Sequence, residues 1–120
     1  MINQEQFLSA KHPILIKVMD LLIPPVEDLP GAGSMGLINE LEKLCKKYEI
    51  IYLSIKRIIN AIELEPTCRA NGSFLFLDKE KQIEIIEIIE INLSKDFSIL
   101  LNGIYSIYYI NKNVTKRINW

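Results

Sequence analysis

The chain has 120 residues, a mass of 13.9 kDa and a net charge of −1, from 14 Lys and Arg against 15 Asp and Glu. A domain of this size hides about two-thirds of the surface its unfolded chain exposes, so an ordinary core needs neither disulfides nor metal. Hydrophobic residues at 49% and charged residues at 24% exclude a disordered chain, and the balanced charge excludes a global basic field that would gather nucleic acid or anionic lipid.

The first segment, Met1 to Phe7, has no basic n-region, no twin arginine and no small-residue cleavage site, so the chain as written reads as cytoplasmic. Export together with a partner, or a lost leader, stays open. Apolar residues at Phe7, Leu8, Ile14, Leu15, Val18, Leu21 and Leu22 predict a helix over 7–23, with Pro13 in a first turn. His12, the only histidine, reads as a solvated residue at the helix entry. Pro24-Pro25 ends the helix, because proline has no N–H and excludes the α region from the residue before it. Residues 24–33 predict an extended, turn-rich and rigid loop, since three prolines limit its backbone.

Ser34 is a candidate N-cap for a second helix, whose buried face holds Leu37, Ile38, Leu41, Leu44 and Cys45. After a break near 47–49, a third helix turns Tyr48, Ile51, Tyr52, Ile55, Ile58, Ile59 and Ile62 inward and stops before Pro66. Residues 66–77 predict a loop whose run Phe74-Leu75-Phe76-Leu77 tucks onto the core, with a lone strand as the minority reading. Asp78 caps a fourth helix over 79–93. There Glu84, Glu87 and Glu90 leave an apolar arc wider than one helix face needs, as in a central helix touched on several sides or a helix that meets another protein. Ser94 caps a fifth helix to Ile110, with Phe97, Leu100, Leu101, Ile104, Tyr105 and Tyr108 largely core. Tyr109 and Trp120 are candidates for core or for partner anchors, and residues 111–120 form a polar, basic tail with Lys112, Lys116 and Arg117. The sum is a single all-α domain over 1–120, of about five helices in an irregular orthogonal or bundle-like array. No run of 18 apolar residues marks a transmembrane segment.

Chemistry-bearing motifs are scarce. Gly31-Ala32-Gly33 lacks the third glycine and the preceding strand of a dinucleotide fingerprint. Glu84, Glu87 and Glu90 have metal-ligand spacing without an accompanying histidine, and read as a solvated stripe. Cys45 and Cys68 match no zinc pattern and read as two reduced thiols, one on a helix and one in a loop, with a disulfide left open. No catalytic set emerges, so the chain reads as a non-enzyme. Lys56-Arg57 and the basic tail support an alternative reading, a small helical binding or regulatory domain contacting nucleic acid or another protein.

Three stretches taken together resemble the gluconate 2-dehydrogenase subunit 3 family. The first runs from Leu22-Ile23-Pro24-Pro25-Val26-Glu27-Asp28-Leu29-Pro30-Gly31-Ala32 to Met35-Gly36-Leu37 and Leu41. It is similar to the family's apolar-Ile-Pro, acidic, Pro-Gly-Ala entry to a helix. The second is Phe74 to Gln82, and the third is Phe97, Leu100 and Leu101 leading to Tyr108-Tyr109. The resemblance covers 14–120 and implies a non-catalytic accessory subunit. Its partner would be a large FAD-dependent dehydrogenase subunit, with a cytochrome subunit often beside it. The flavin would sit on the partner, and this chain would carry no cofactor. The family's twin-arginine leader has no counterpart here. Pro24, Pro25, Glu27, Asp28, Pro30 and Gly31 are the candidate partner-docking loop, with Glu27 and Asp28 expected to satisfy backbone N–H groups in the loop or near the next helix. No nucleic acid is expected as a partner, and self-association stays open.

Overall fold

A computed structural model describes residues 3–25 and 29–110. Its helices are α1 (Gln4–Ala10), α2 (His12–Leu22), α3 (Ile38–Lys47), α4 (Glu49–Leu64), α5 (Pro66–Asn71), α6 (Lys79–Asn92) and α7 (Ser94–Ile110), with a single 3-10 turn over Phe74–Phe76. The all-α expectation holds, with seven helices among the described residues in place of about five.

The two extra helices have local causes. The predicted helix over 7–23 is cut at Lys11, whose φ of −101° and ψ of 7° leave the helical region. Pro13 explains the cut: its ring clashes with the carbonyl four residues back and offers no N–H to it. Asn3 and Gln6 cap the short α1 reciprocally. The second extra helix is α5, where a loop was expected. Glu65 is extended, Pro66 occupies the first helical position, and Gly72 at φ +90° ends the helix.

Helix α3 starts later than Ser34 predicts. Gly36 adopts φ +82°, which a right-handed helix cannot contain, so the first helical residue is Ile38. The predicted break falls at Tyr48, the extended N-cap of α4. That geometry turns Tyr48 outward, 48% exposed, against the expectation that it points into the core. The Lys47 ammonium lies 5.5 Å from its ring centroid.

The centre of the molecule is α4, which packs on α3, α5, α6 and α7 and most extensively on α7. Its Ile55, Ile58, Ile59 and Ile62 are all but sealed from solvent. By contrast α6 packs on α4 and α7 and is not the central helix. Ile85, Ile86 and Ile89 face the core, while Ile83, Ile88 and Ile91 are exposed among Glu84, Glu87 and Glu90. Gly103 is buried in α7 and faces Leu44 and Ile51.

Phe74 and Leu77 are buried, as the tucked-loop reading expects, and Leu75 and Phe76 stand outside. The turn is held from α6: Gln82, 2% exposed, donates from Nε2 to the Phe74 carbonyl at 3.0 Å. Asp78 caps α6 by accepting from the Lys81 N–H at 2.9 Å. Replacing Gln82 with Ala removes one of the two bonds to the Phe74 carbonyl, which keeps the Leu77 N–H at 3.2 Å, and should cost about 0.5–1.5 kcal/mol. Urea unfolding of Gln82→Ala should show the midpoint shift with an unchanged slope.

Candidate functional site

Helix α2 runs into Ile23, Pro24 and Pro25, and the chain returns to it at Gly31. The Ala32 N–H donates to the Ile23 carbonyl at 3.0 Å, and Ala32 is fully buried. Asp20, two residues before the end of α2, then takes both donor groups of Ser34. Its Oδ1 accepts from the Ser34 backbone N–H at 2.9 Å, and its Oδ2 from the Ser34 hydroxyl at 2.7 Å. So Ser34 is not a cap but the receiving end of a carboxylate clamp.

Two glycines permit this approach. A Cβ on Gly31 would stand 2.4 Å from Asp20 Oδ1, and one on Gly33 only 2.1 Å from the Ile16 carbonyl oxygen. Met35 N–H to the Gly31 carbonyl (2.9 Å) and Gly36 N–H to the Gly33 carbonyl (3.1 Å) close the turn that leads to α3.

Of the expected docking residues, Pro24, Pro25 and Pro30 are exposed, whereas Gly31 is buried and acts as a spacer against Asp20. Glu27 and Asp28 lie outside the described residues. At the Ser34 amide, near the next helix, the carboxylate that meets the backbone is Asp20. Pro24 and Pro25 form one wall of a surface groove of about 200 Å³, completed by Lys17, Asp20 and Leu21 of α2 and Lys79 of α6. Sequence reasoning found the prolines but neither Asp20 nor the two lysines, whose separation along the chain leaves no local signal.

The other candidate groups are placed as follows. His12 enters α2 as expected but is half-buried, in contact with the Glu42 carboxylate on α3. Arg57 is committed to α7: its Nε donates to Asp96 Oδ2 at 2.9 Å and its Nη2 to Oδ1 at 2.7 Å. Lys56 lies 5.8 Å from the Phe7 ring centroid. Tyr109 is half exposed, stacked on Tyr105 and edge-on to Tyr108. Trp120 and the tail over 111–120 lie outside the described residues. Among those described, no group of three or more His, Cys, Asp and Glu side chains gathers as a metal would require, and no helix is long and apolar enough to cross a membrane.

Cys45 and Cys68 are both buried and unbridged, and Cys68 sits on α5 and not in a loop. Burial, reinforced by Glu42, pushes the Cys45 thiol up to about 12. Burial also raises Cys68, helped by Glu65 and Glu63. A thiol held neutral and away from solvent is a poor nucleophile. Both should resist alkylation by iodoacetamide in the folded chain at pH 8 and react rapidly in denaturant, as counted by mass spectrometry.

Comparison with known proteins adds no assignment: no family model, no curated protein and no solved structure matches this chain.

Proposed function

We propose that the chain is a non-catalytic interaction protein, an accessory subunit or maturation partner of a flavin-dependent dehydrogenase of the gluconate or glucose type. The flavin and the redox chemistry belong to the large partner subunit, and this chain contributes a docking surface. Support for the family comes from the residue pattern of the three stretches, with no matching relative behind it. The observation that carries the docking reading is the way the proline loop is presented. Gly31, Ala32 and Ser34 are pinned to α2, while Pro24 and Pro25 project over the groove between Lys17 and Lys79. A surface held in place before association loses little freedom on binding.

The nucleic-acid reading loses part of its basis, because the Arg57 guanidinium is engaged by Asp96. The docking reading is tested by co-expression with a large flavoprotein of the glucose–methanol–choline oxidoreductase type and capture through a tag on this chain. Replacing Glu27 and Asp28 with Ala and Pro30 with Gly should reduce flavoprotein recovery more than it lowers the melting temperature of the isolated chain. Unchanged capture with a clear fall in melting temperature would make the loop scaffold alone.

A further inference from the structure

A second cavity, away from the proline loop, opens where α2, α4, α5 and the 3-10 turn converge. We propose that it is a binding site for a small free carboxylate, with Arg69 as its anion-binding group. This inference is independent of the docking reading.

The cavity holds about 160 Å³, roughly the share of five water molecules at about 30 Å³ each. That is the scale of a three- or four-carbon acid. Its charge is set by three groups. Glu63 lines it, but its Oε2 already receives the Lys11 ammonium at 2.9 Å, so that pair is neutral. Arg69, also in the lining, is exposed, and its guanidinium forms no hydrogen bond or ion pair with the described residues. Within the lining this leaves the Arg69 charge in excess, with the Glu65 carboxylate, near enough to raise the Cys68 thiol, outside it. The Arg69 charge is a planar guanidinium, whose fork of N–H groups matches both oxygens of a carboxylate.

Ser73 supplies a second donor. Its Oγ accepts from the Leu75 N–H at 3.2 Å, which uses a lone pair and leaves the hydroxyl proton to give. Gly72, between Arg69 and Ser73 in the wall, has φ +90° and no side chain to crowd the mouth. The remaining wall is apolar. Ile14, Phe74 and Cys68 are each at most 8% exposed, so they close the floor of the cavity and leave polar groups as most of its open surface. Burial keeps the Cys68 thiol protonated, so it does not repel an anion.

The test is an amide-resolved NMR titration of the full chain at fixed ionic strength, with propionate, propylammonium, inorganic phosphate and an N-acetylated tripeptide as separate probes. Propionate should give saturable shifts confined to 68–74 and their neighbours, and propylammonium none. Arg69→Gln should weaken propionate binding at least about tenfold, equal to about 1.4 kcal/mol, and Arg69→Lys should fall between. Arg69→Gln should leave the melting temperature nearly unchanged, because the side chain holds no partner among the described residues. Non-saturating shifts, equal shifts with propylammonium, or full affinity in Arg69→Gln would each overturn the proposal. Tighter binding of phosphate would overturn the carboxylate class, and tighter binding of the tripeptide would overturn the free acid in favour of a chain terminus.

Discussion

Gly33→Ala should be among the most damaging single-methyl additions to this chain. The new carbon would stand 2.1 Å from the Ile16 carbonyl oxygen and 2.9 Å from its carbon. These are backbone atoms of α2, held by the helix ladder, and cannot rotate away as a side chain could. Either the 31–36 turn lifts off α2 or the helix bends. Forced overpacking of this kind costs about 1–3 kcal/mol and occasionally more. At roughly 4 °C per kcal/mol for a domain of this size, a fall of about 10 °C in melting temperature is the expected scale. Gly103→Ala is the matched control. Its new carbon would meet Leu44 and Ile51 at 3.5–3.9 Å, ordinary contact distances, and alanine is the better helix residue by about 0.5–1 kcal/mol. Thermal unfolding should therefore separate the two variants in sign. If Gly33→Ala melted with the wild type, the close apposition of the loop and α2 would be refuted.

Asp96 is the second position with a large expected effect. It lies in the first turn of α7, where negative charge is favoured. Its Oδ1 accepts from the fully buried Ser54 hydroxyl at 3.0 Å, and both oxygens receive the Arg57 fork. One carboxylate thus ties α7 to the central helix twice. Asp96→Ala leaves the Ser54 hydroxyl without an acceptor in a dry site, which costs about 1–3 kcal/mol on top of the lost ion pair. Arg57 holds the Asp96 carboxyl below its ordinary value of 3.8, against the opposing effect of burial, with Ser54 helping. A depressed carboxylate contributes stability that is complete above its unfolded value and is lost as pH falls through its folded one. Asp96→Asn keeps an acceptor for Ser54 and removes the charge. It should be less stable than wild type at pH 7, and the gap should close as pH drops below about 4. Denaturant midpoints from pH 7 to pH 2 would show this; a gap independent of pH would mean that the charge contributes nothing.

The fold class was legible because the apolar spacing in α3, α4 and α7 is carried by residues that do become core, such as Leu41, Ile59 and Ile104. The breaks were less so. Pro13 belongs in a first turn, as the sequence indicates, but the helix it heads begins at His12 and not at Phe7. Pro66 marks the head of α5 and not the start of a loop, and the Gly72 that closes α5 was visible too. The Ile-rich α6 was read as a helix correctly, but its position at the edge of α4 and α7 follows from tertiary packing that no local pattern contains. The same holds for the loop. Its prolines and glycines announced a constrained connector, while the Asp20 clamp on Ser34 joins residues 14 apart and becomes visible only once the chain has turned back. Arg69 and Ser73 lie close in sequence, but the cavity they share with Ile14 and Glu63 exists only in the folded chain.

The middle position of α4 in the sequence bears on how the protein is made. Domains emerge from the ribosome N-terminal end first. By the time α4 appears, α1 and α3 are available to cover part of it, Phe7 meeting Tyr52 and α3 packing alongside, but the side that carries Ile51 and Ser54 meets α7. That face stays bare through the synthesis of some thirty further residues, until 94–110 are released. A nascent chain stalled in that interval presents an isoleucine-rich helix without its cover, and chaperone occupancy should be high on ribosome-bound intermediates and fall once 94–110 are released.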